Sequence, residues 1–260
     1  MKWRGCVLVS SAAACVLAVF FLPPIPQSEA YHNFADSRPF AGIPNFLDVA
    51  SNIFFLPVGL SGIYFLSHKW DKGGTPFRHR LERWPYFAFF VAVALTAAGS
   101  SYYHWHPDDS TLVWDRLPMA AGFGAIVAAV VAERISLRLG LRLLGPLILA
   151  DAATVVYWAA TKASGKGDLR PYALAQFGSL LLVLLITALY PSRYTRGADL
   201  LIALAIYGFA KVLEAGDRVI FSWGHVVSGH TLKHVAAAFS AFWILRMLKH
   251  RVPRLDHPQG

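Results

Sequence analysis

Cysteine is scarce in this chain, and so is charge. The two cysteines, Cys6 and Cys15, both fall in the first apolar segment. Neither a disulfide framework nor a thiolate zinc site is therefore available to the remaining residues, and any metal must be held by histidine and carboxylate. Charged residues make up 15% of the 260 positions, against about 25% in an ordinary soluble domain. Hydrophobic residues reach 56%, with a mean hydropathy of +0.46. They come in blocks long enough to cross a bilayer, which takes roughly 20 residues per helix. This composition excludes a soluble globular domain and indicates a polytopic membrane protein. The net charge of +9 does not point to nucleic acid. Its lysines and arginines cluster in short connections between apolar runs, where membrane topology accounts for them. A phosphate loop, a serine-hydrolase elbow and an internal repeat are missing from the sequence too.

The first thirty residues have two readings. Lys2 and Arg4 precede an apolar run to Leu22, followed by Pro23, Pro24 and Ser28-Glu-Ala30. That order describes a signal peptide cut after Ala30, or else an uncleaved N-terminal membrane anchor. Seven further spans are expected, at about 46–66, 85–104, 115–133, 143–161, 172–190, 198–214 and 228–248. Helices are the expected form because a backbone in lipid must satisfy its own hydrogen bonds. The expected fold is an all-α, seven-transmembrane helical bundle over residues 31–252, preceded by a signal peptide or an extra N-terminal helix. A short tail follows at 253–260.

Basic residues orient the bundle. One set of connections holds Lys69, Lys72, Arg78, Arg80 and Arg83, then Arg134, Arg138 and Arg142, then Arg193 and Arg196, with Arg246, Lys249, Arg251 and Arg254 at the end. The positive-inside rule places these, and the C-terminus, on the cytoplasmic side. Lys162, Lys166 and Arg170 on the other side run against that assignment. The non-cytoplasmic ends of spans two, three and seven then carry the two polar stretches "GSSYYHWHPDD" (99–109) and "SGHTLKH" (228–234).

Those stretches carry the chemistry. His230 and His234 are four apart, a spacing that stacks both on one helix face; Ser100 and His104 share that spacing. Three histidines from two helices can converge at one membrane depth. Three neutral imidazoles plus water form the open tetrahedral arrangement of catalytic zinc, and Asp115 is placed to reach that water or a ring nitrogen. A lone His-x-x-x-His pair is more often an interfacial feature than a ligand pair. Several ionisable groups gathered at one depth favour function.

In combination, "GSSYYH" (99–104), "WDRLPM" (114–119), "SGHTLKH" and "IPNFLDVASN" (43–52) resemble the alkaline ceramidase family. That family belongs to a wider group of seven-helix membrane hydrolases that includes adiponectin-receptor-like proteins. The resemblance runs from about residue 31 to 248. It implies that His104, His230 and His234 bind zinc, that Asp115 hydrogen-bonds the water on zinc, and that Ser100 steadies the oxyanion. It also implies cleavage of the amide bond of a ceramide-like membrane lipid to a long-chain base and a fatty acid. The family's eukaryotic ceramidases bind calcium through an acid-rich N-terminal segment. The corresponding stretch here offers Asp36, Asn33 and Asn45, with Asp48 just beyond. Calcium takes about six to eight oxygens, several of them carboxylate, and few acids are present. Asp36 serves equally well as a turn or capping residue.

Two other functions remain open on the same residues: a zinc-dependent lipid esterase or remodelling hydrolase, and a seven-helix receptor or sensor with structural zinc. Lys211 and Glu214 have the spacing of a helix ion pair, Asp217 is expected in a structural pair, and Asp151 falls inside an apolar span. Trp105, Trp114, Trp158 and Trp223 are expected in the interfacial aromatic belt.

Overall fold

A computed structural model describes residues 2–67, 76–165 and 167–254. Lys69, Lys72, Lys166 and the end of the tail lie outside the described residues. Among the described residues the chain is helical, without strands. The helices are α1 (Lys2–Phe21), α2 (Phe46–Ser67, with a 3-10 turn at Asn52–Phe54), α3 (Arg83–Trp105) and α4 (Asp109–Arg134). They continue with α5 (Leu137–Ala163), α6 (Arg170–Leu189, with a π turn at Leu174–Gly178), α7 (Asp199–Ala215), α8 (Asp217–Ser222) and α9 (Gly229–His250).

Six of these, α1 to α6, are long and apolar enough to cross a membrane. The expected spans at 198–214 and 228–248 are helices, α7 and α9, but neither is among the six. α7 has only 17 residues. α9 is long enough, yet His230, Lys233, His234, Arg246 and Lys249 dilute its apolar character. The residues that make α9 chemically interesting, His230, Lys233 and His234, also lower its apolar content.

Local signals set the helix starts. Asp108 caps α4 in a reciprocal capping box with Thr111, its carboxylate accepting from the Thr111 N–H at 2.8 Å. This starts α4 six residues before the expected 115, so Asp115 sits nearly two turns inside the helix. Ser228 caps α9 by accepting from the Thr231 N–H at 3.0 Å. Such caps satisfy N–H groups that the first turn leaves without partners.

α4 is the central helix: 78% of its span is buried, against 6% for α1 at the periphery. A helix apolar on every side must be surrounded by others, and α4 packs on α3, α5 and α6. α7 and α9 pack along each other. The end of α1 is engaged by Arg170, which donates to the Val19 carbonyl at 2.8 Å and to that of Leu22. Asp151 borders a cavity of about 500 Å³ between α1, α5 and α6, and among the described residues its Oδ2 has no partner. The Trp158 expectation is corrected: it is fully buried, whereas Trp105, Trp114 and Trp223 are exposed. Its ring is covered because the Arg116 guanidinium lies over it, 4.4 Å from the ring centre.

At the end of the bundle opposite His230, Arg251 donates to Glu133, which also accepts from the Tyr86 hydroxyl at 2.8 Å. Both charged side chains are 1% exposed. This buried pair joins the end of α4 to the segment after α9.

Candidate metal centre

Two close helix approaches assemble the site. A Cβ on Gly99 would lie 2.1 Å from the Trp114 carbonyl oxygen, so only glycine lets α3 touch α4 there. That contact brings Ser100 and Asp115 to the same level. A Cβ on Gly229 would lie 2.2 Å from the Leu213 carbonyl oxygen, which brings the first turn of α9 against the end of α7.

His104 from α3 meets His230 and His234 from α9. The ring centres are 4.8 Å apart for His104–His230, 4.8 Å for His104–His234 and 5.0 Å for His230–His234. One nitrogen from each ring lies within 4.8 Å of the others. All three are buried, at 0%, 5% and 3% exposure. The Nε2 atoms of His104 and His230 face each other at 3.3 Å. Nε2 of His234 is buried with no hydrogen-bond partner among the described residues. Three imidazoles converging with an orphaned ring nitrogen fit a divalent metal, because buried polar atoms otherwise find partners and neutral imidazole is a zinc ligand.

The surrounding residues support that fit. The Ser51 hydroxyl donates to the Asp48 carbonyl at 3.1 Å and lies 2.8 Å from Nδ1 of His234. With its proton committed, Ser51 accepts from Nδ1–H, which leaves the His234 Nε2 lone pair free for a metal. Asp217 accepts from the His230 backbone N–H at 2.8 Å and from the Ala35 N–H at 3.0 Å, tying α9 to the N-terminal segment. Phe34 covers the histidines, its ring 4.6 Å from that of His104 and 4.7 Å from that of His230.

Ser100, Asp115 and His234 line one cavity of about 350 Å³. Arg116, Lys211, Glu214 and Lys233 also line it; the rest is mostly apolar, with Phe89, Ile126, Val183 and Leu200, apart from a few polar side chains such as Gln176 and Ser240. Glu214 binds both Lys211 and Lys233, the latter at 2.8 Å.

The residues read as calcium candidates have other partners. Both oxygens of Asp36 accept from the Arg38 guanidinium at 2.7 Å. Asn33 accepts at its backbone carbonyl from Arg218 at 3.0 Å. Asn45 donates to the His104 carbonyl at 2.9 Å. Arg38 also donates to the His225 and Val226 carbonyls at 2.6 and 2.9 Å. The segment thus works as a strap beside the site. Burial alone would raise the Asp36 pKa, but the Arg38 hydrogen bonds outweigh it and hold the carboxyl below its ordinary 3.8. Asp48 is wholly buried and accepts from Thr231 at 2.5 Å and Ser228 at 3.3 Å, locking α2 to the start of α9.

Glu29, His32 and Asp109 form a second group with metal-ligand spacing. The Lys162 ammonium occupies it, 2.7 Å from Glu29 and 2.9 Å from Asp109. A lysine already supplies the cation there, so the three-histidine group is the stronger metal candidate.

Sequence reasoning missed Ser51, Phe34 and the role of Asp48. Asp48, Ser51 and Asn52 share one face of α2 by the i, i+3, i+4 rule. Three polar residues on one stripe of an apolar span were the available signal. Phe34 had none, since its place depends on how the strap folds back. No protein-family model matches this chain, and no curated protein matches it.

Proposed function

We propose that this protein is a zinc-dependent integral-membrane amidase that hydrolyses the amide bond of ceramide-like lipids, as its resemblance to the alkaline ceramidases implies. One observation carries the reading: three buried imidazoles converge, and one of them, His234, whose Nε2 is orphaned among the described residues, lines a largely apolar cavity together with Ser100 and Asp115. In this reading α7 and α9 join α2 to α6 in a seven-helix bundle that α1 precedes, with the site toward the non-cytoplasmic face and the C-terminus in the cytoplasm.

His104, His230 and His234 hold the metal, and zinc bound there supplies a Lewis acid that polarises a carbonyl and makes water acidic near neutral pH. Asp115 accepts the proton of the attacking water and hands it to the amide nitrogen as the carbon–nitrogen bond breaks. The Ser100 hydroxyl donates to the oxygen that gains negative charge when water adds to the carbonyl carbon. The apolar cavity holds an acyl chain, and Phe34 excludes bulk water. The products are a free fatty acid and an amine.

The test is incubation of the purified protein with ceramides, other N-acyl lipids and ester lipids, with and without chelator. Chelator-sensitive fatty-acid release from an amide, lost in His230→Ala, is the expected result. Release from esters alone would favour the esterase reading, and bound zinc without turnover would favour the receptor.

A further inference from the structure

The cavity that His234, Ser100 and Asp115 line holds more positive than negative charge. Its lining includes three cations, Arg116, Lys211 and Lys233, and two carboxylates, Asp115 and Glu214. Glu214 is taken up by both lysines. Arg116 makes no ion pair among the described residues. Its side chain donates to Gln27 Oε1 at 2.6 Å, a neutral acceptor, and its buried Nη1 has no hydrogen-bond partner among the described residues. Arg116 is 4% exposed. Three rings box its guanidinium: Trp158 at 4.4 Å, Tyr172 at 4.8 Å and Tyr31 at 5.5 Å.

A buried guanidinium lacking a carboxylate is costly, and aromatic faces offset only part of that cost. A metal at the histidines would add to the positive excess. An anion entering with the ligand would relieve it, and arginine is the side chain best shaped to receive a carboxylate or phosphate. The aromatic box fixes the fork, so little side-chain entropy is left to lose on binding. Arg116 follows Asp115 directly in α4, and both line the cavity.

We infer that the lipid amide taken by this site carries an anionic oxygen group on its amine portion, and that Arg116 receives that group. This rests on the amidase reading and narrows its substrate class. Arg116 is thus a specificity residue: it selects the headgroup while Ser100, Asp115 and the histidines address the amide.

The experiment uses the full-length protein in detergent and two matched ligand pairs. C16 ceramide is compared with its 1-phosphate, and N-palmitoylethanolamine with N-palmitoylglycine. Binding is read by stopped-flow quenching of tryptophan fluorescence, for which Trp158 against Arg116 is a built-in reporter; palmitate release is followed separately by mass spectrometry. At least one anionic ligand is expected to bind about tenfold or more tightly than its neutral partner. The phosphate and carboxylate arms show which oxyanion is recognised. Arg116→Gln should weaken the anionic ligand about tenfold more than its neutral partner and so abolish the preference, and Arg116→Lys should restore part of it. Equal binding within both pairs by the wild-type protein overturns the inference, with no variant needed. So does a preference that survives in a folded Arg116→Gln, or an equal Arg116 dependence for free palmitate, which would put the acyl product's carboxylate at this residue. Binding preference without palmitate release would leave the anion site standing and refute the hydrolase reading alone.

Discussion

The Ser51 hydroxyl lies 2.8 Å from Nδ1 of His234 and fixes which nitrogen that ring turns toward the other histidines. Removing such an outer partner typically weakens metal affinity about 10- to 100-fold. Ser51→Ala should lower zinc affinity by that order, measured by competition with a chelator, while Ser51→Thr retains most of it. Unchanged affinity in Ser51→Ala would show that His234 is oriented by packing alone.

Asp115 is assigned a proton-carrying role, so its loss should affect turnover far more than metal content. In Asp115→Asn, fatty-acid release should fall by about 100-fold or more with zinc still bound. Loss of zinc from that variant would make Asp115 a structural support instead.

The strap should respond to acid. Burial alone would raise the pKa of its Asp36, but the hydrogen bonds from Arg38 outweigh it and hold the carboxyl below its ordinary value. A folded-state pKa below the unfolded one gives stability that is complete above the unfolded value and is lost as pH falls through the folded one. Backbone amides around residues 33–38 should therefore exchange hydrogen faster, relative to the intrinsic rate, at about pH 3 than at about pH 6. Asp36→Asn should remove most of that difference. The effect is small, because Arg38 is 53% exposed and solvent screens the pair.

The Glu133–Arg251 pair at the far end of the bundle should matter for stability and leave chemistry alone. Glu133→Ala strands a buried guanidinium, and breaking such a pair costs about 3–5 kcal/mol. The variant should melt well below the wild type yet bind zinc normally while folded. A wild-type melting temperature would mean that the pair contributes nothing net.

Much of this was legible in the chain before any coordinates. The apolar blocks mark the helices, and the four-residue spacings of Ser100–His104 and His230–His234 mark the faces that meet. What the spacing could not convey was depth. Pro107 and the Asp108 cap start α4 earlier than its apolar content suggests, which carries Asp115 into the helix. α7 and α9 were readable as helices from pattern, although their polar residues lower the apolar content by which spans are recognised. The Asp48 and Asp217 contacts were hidden for another reason: they join residues far apart in sequence, and no periodicity within one helix reports on them. Trp158 misled because tryptophan near a helix end usually sits at the membrane surface, whereas here a buried arginine needs its ring.

The most direct test is the zinc content of purified protein, measured by elemental mass spectrometry for the wild type and for His104→Ala, His230→Ala and His234→Ala. About one zinc per wild-type chain, and a large loss in each folded variant, is the predicted result. A metal-free wild type, or variants that keep the same metal content, would contradict the three-histidine centre.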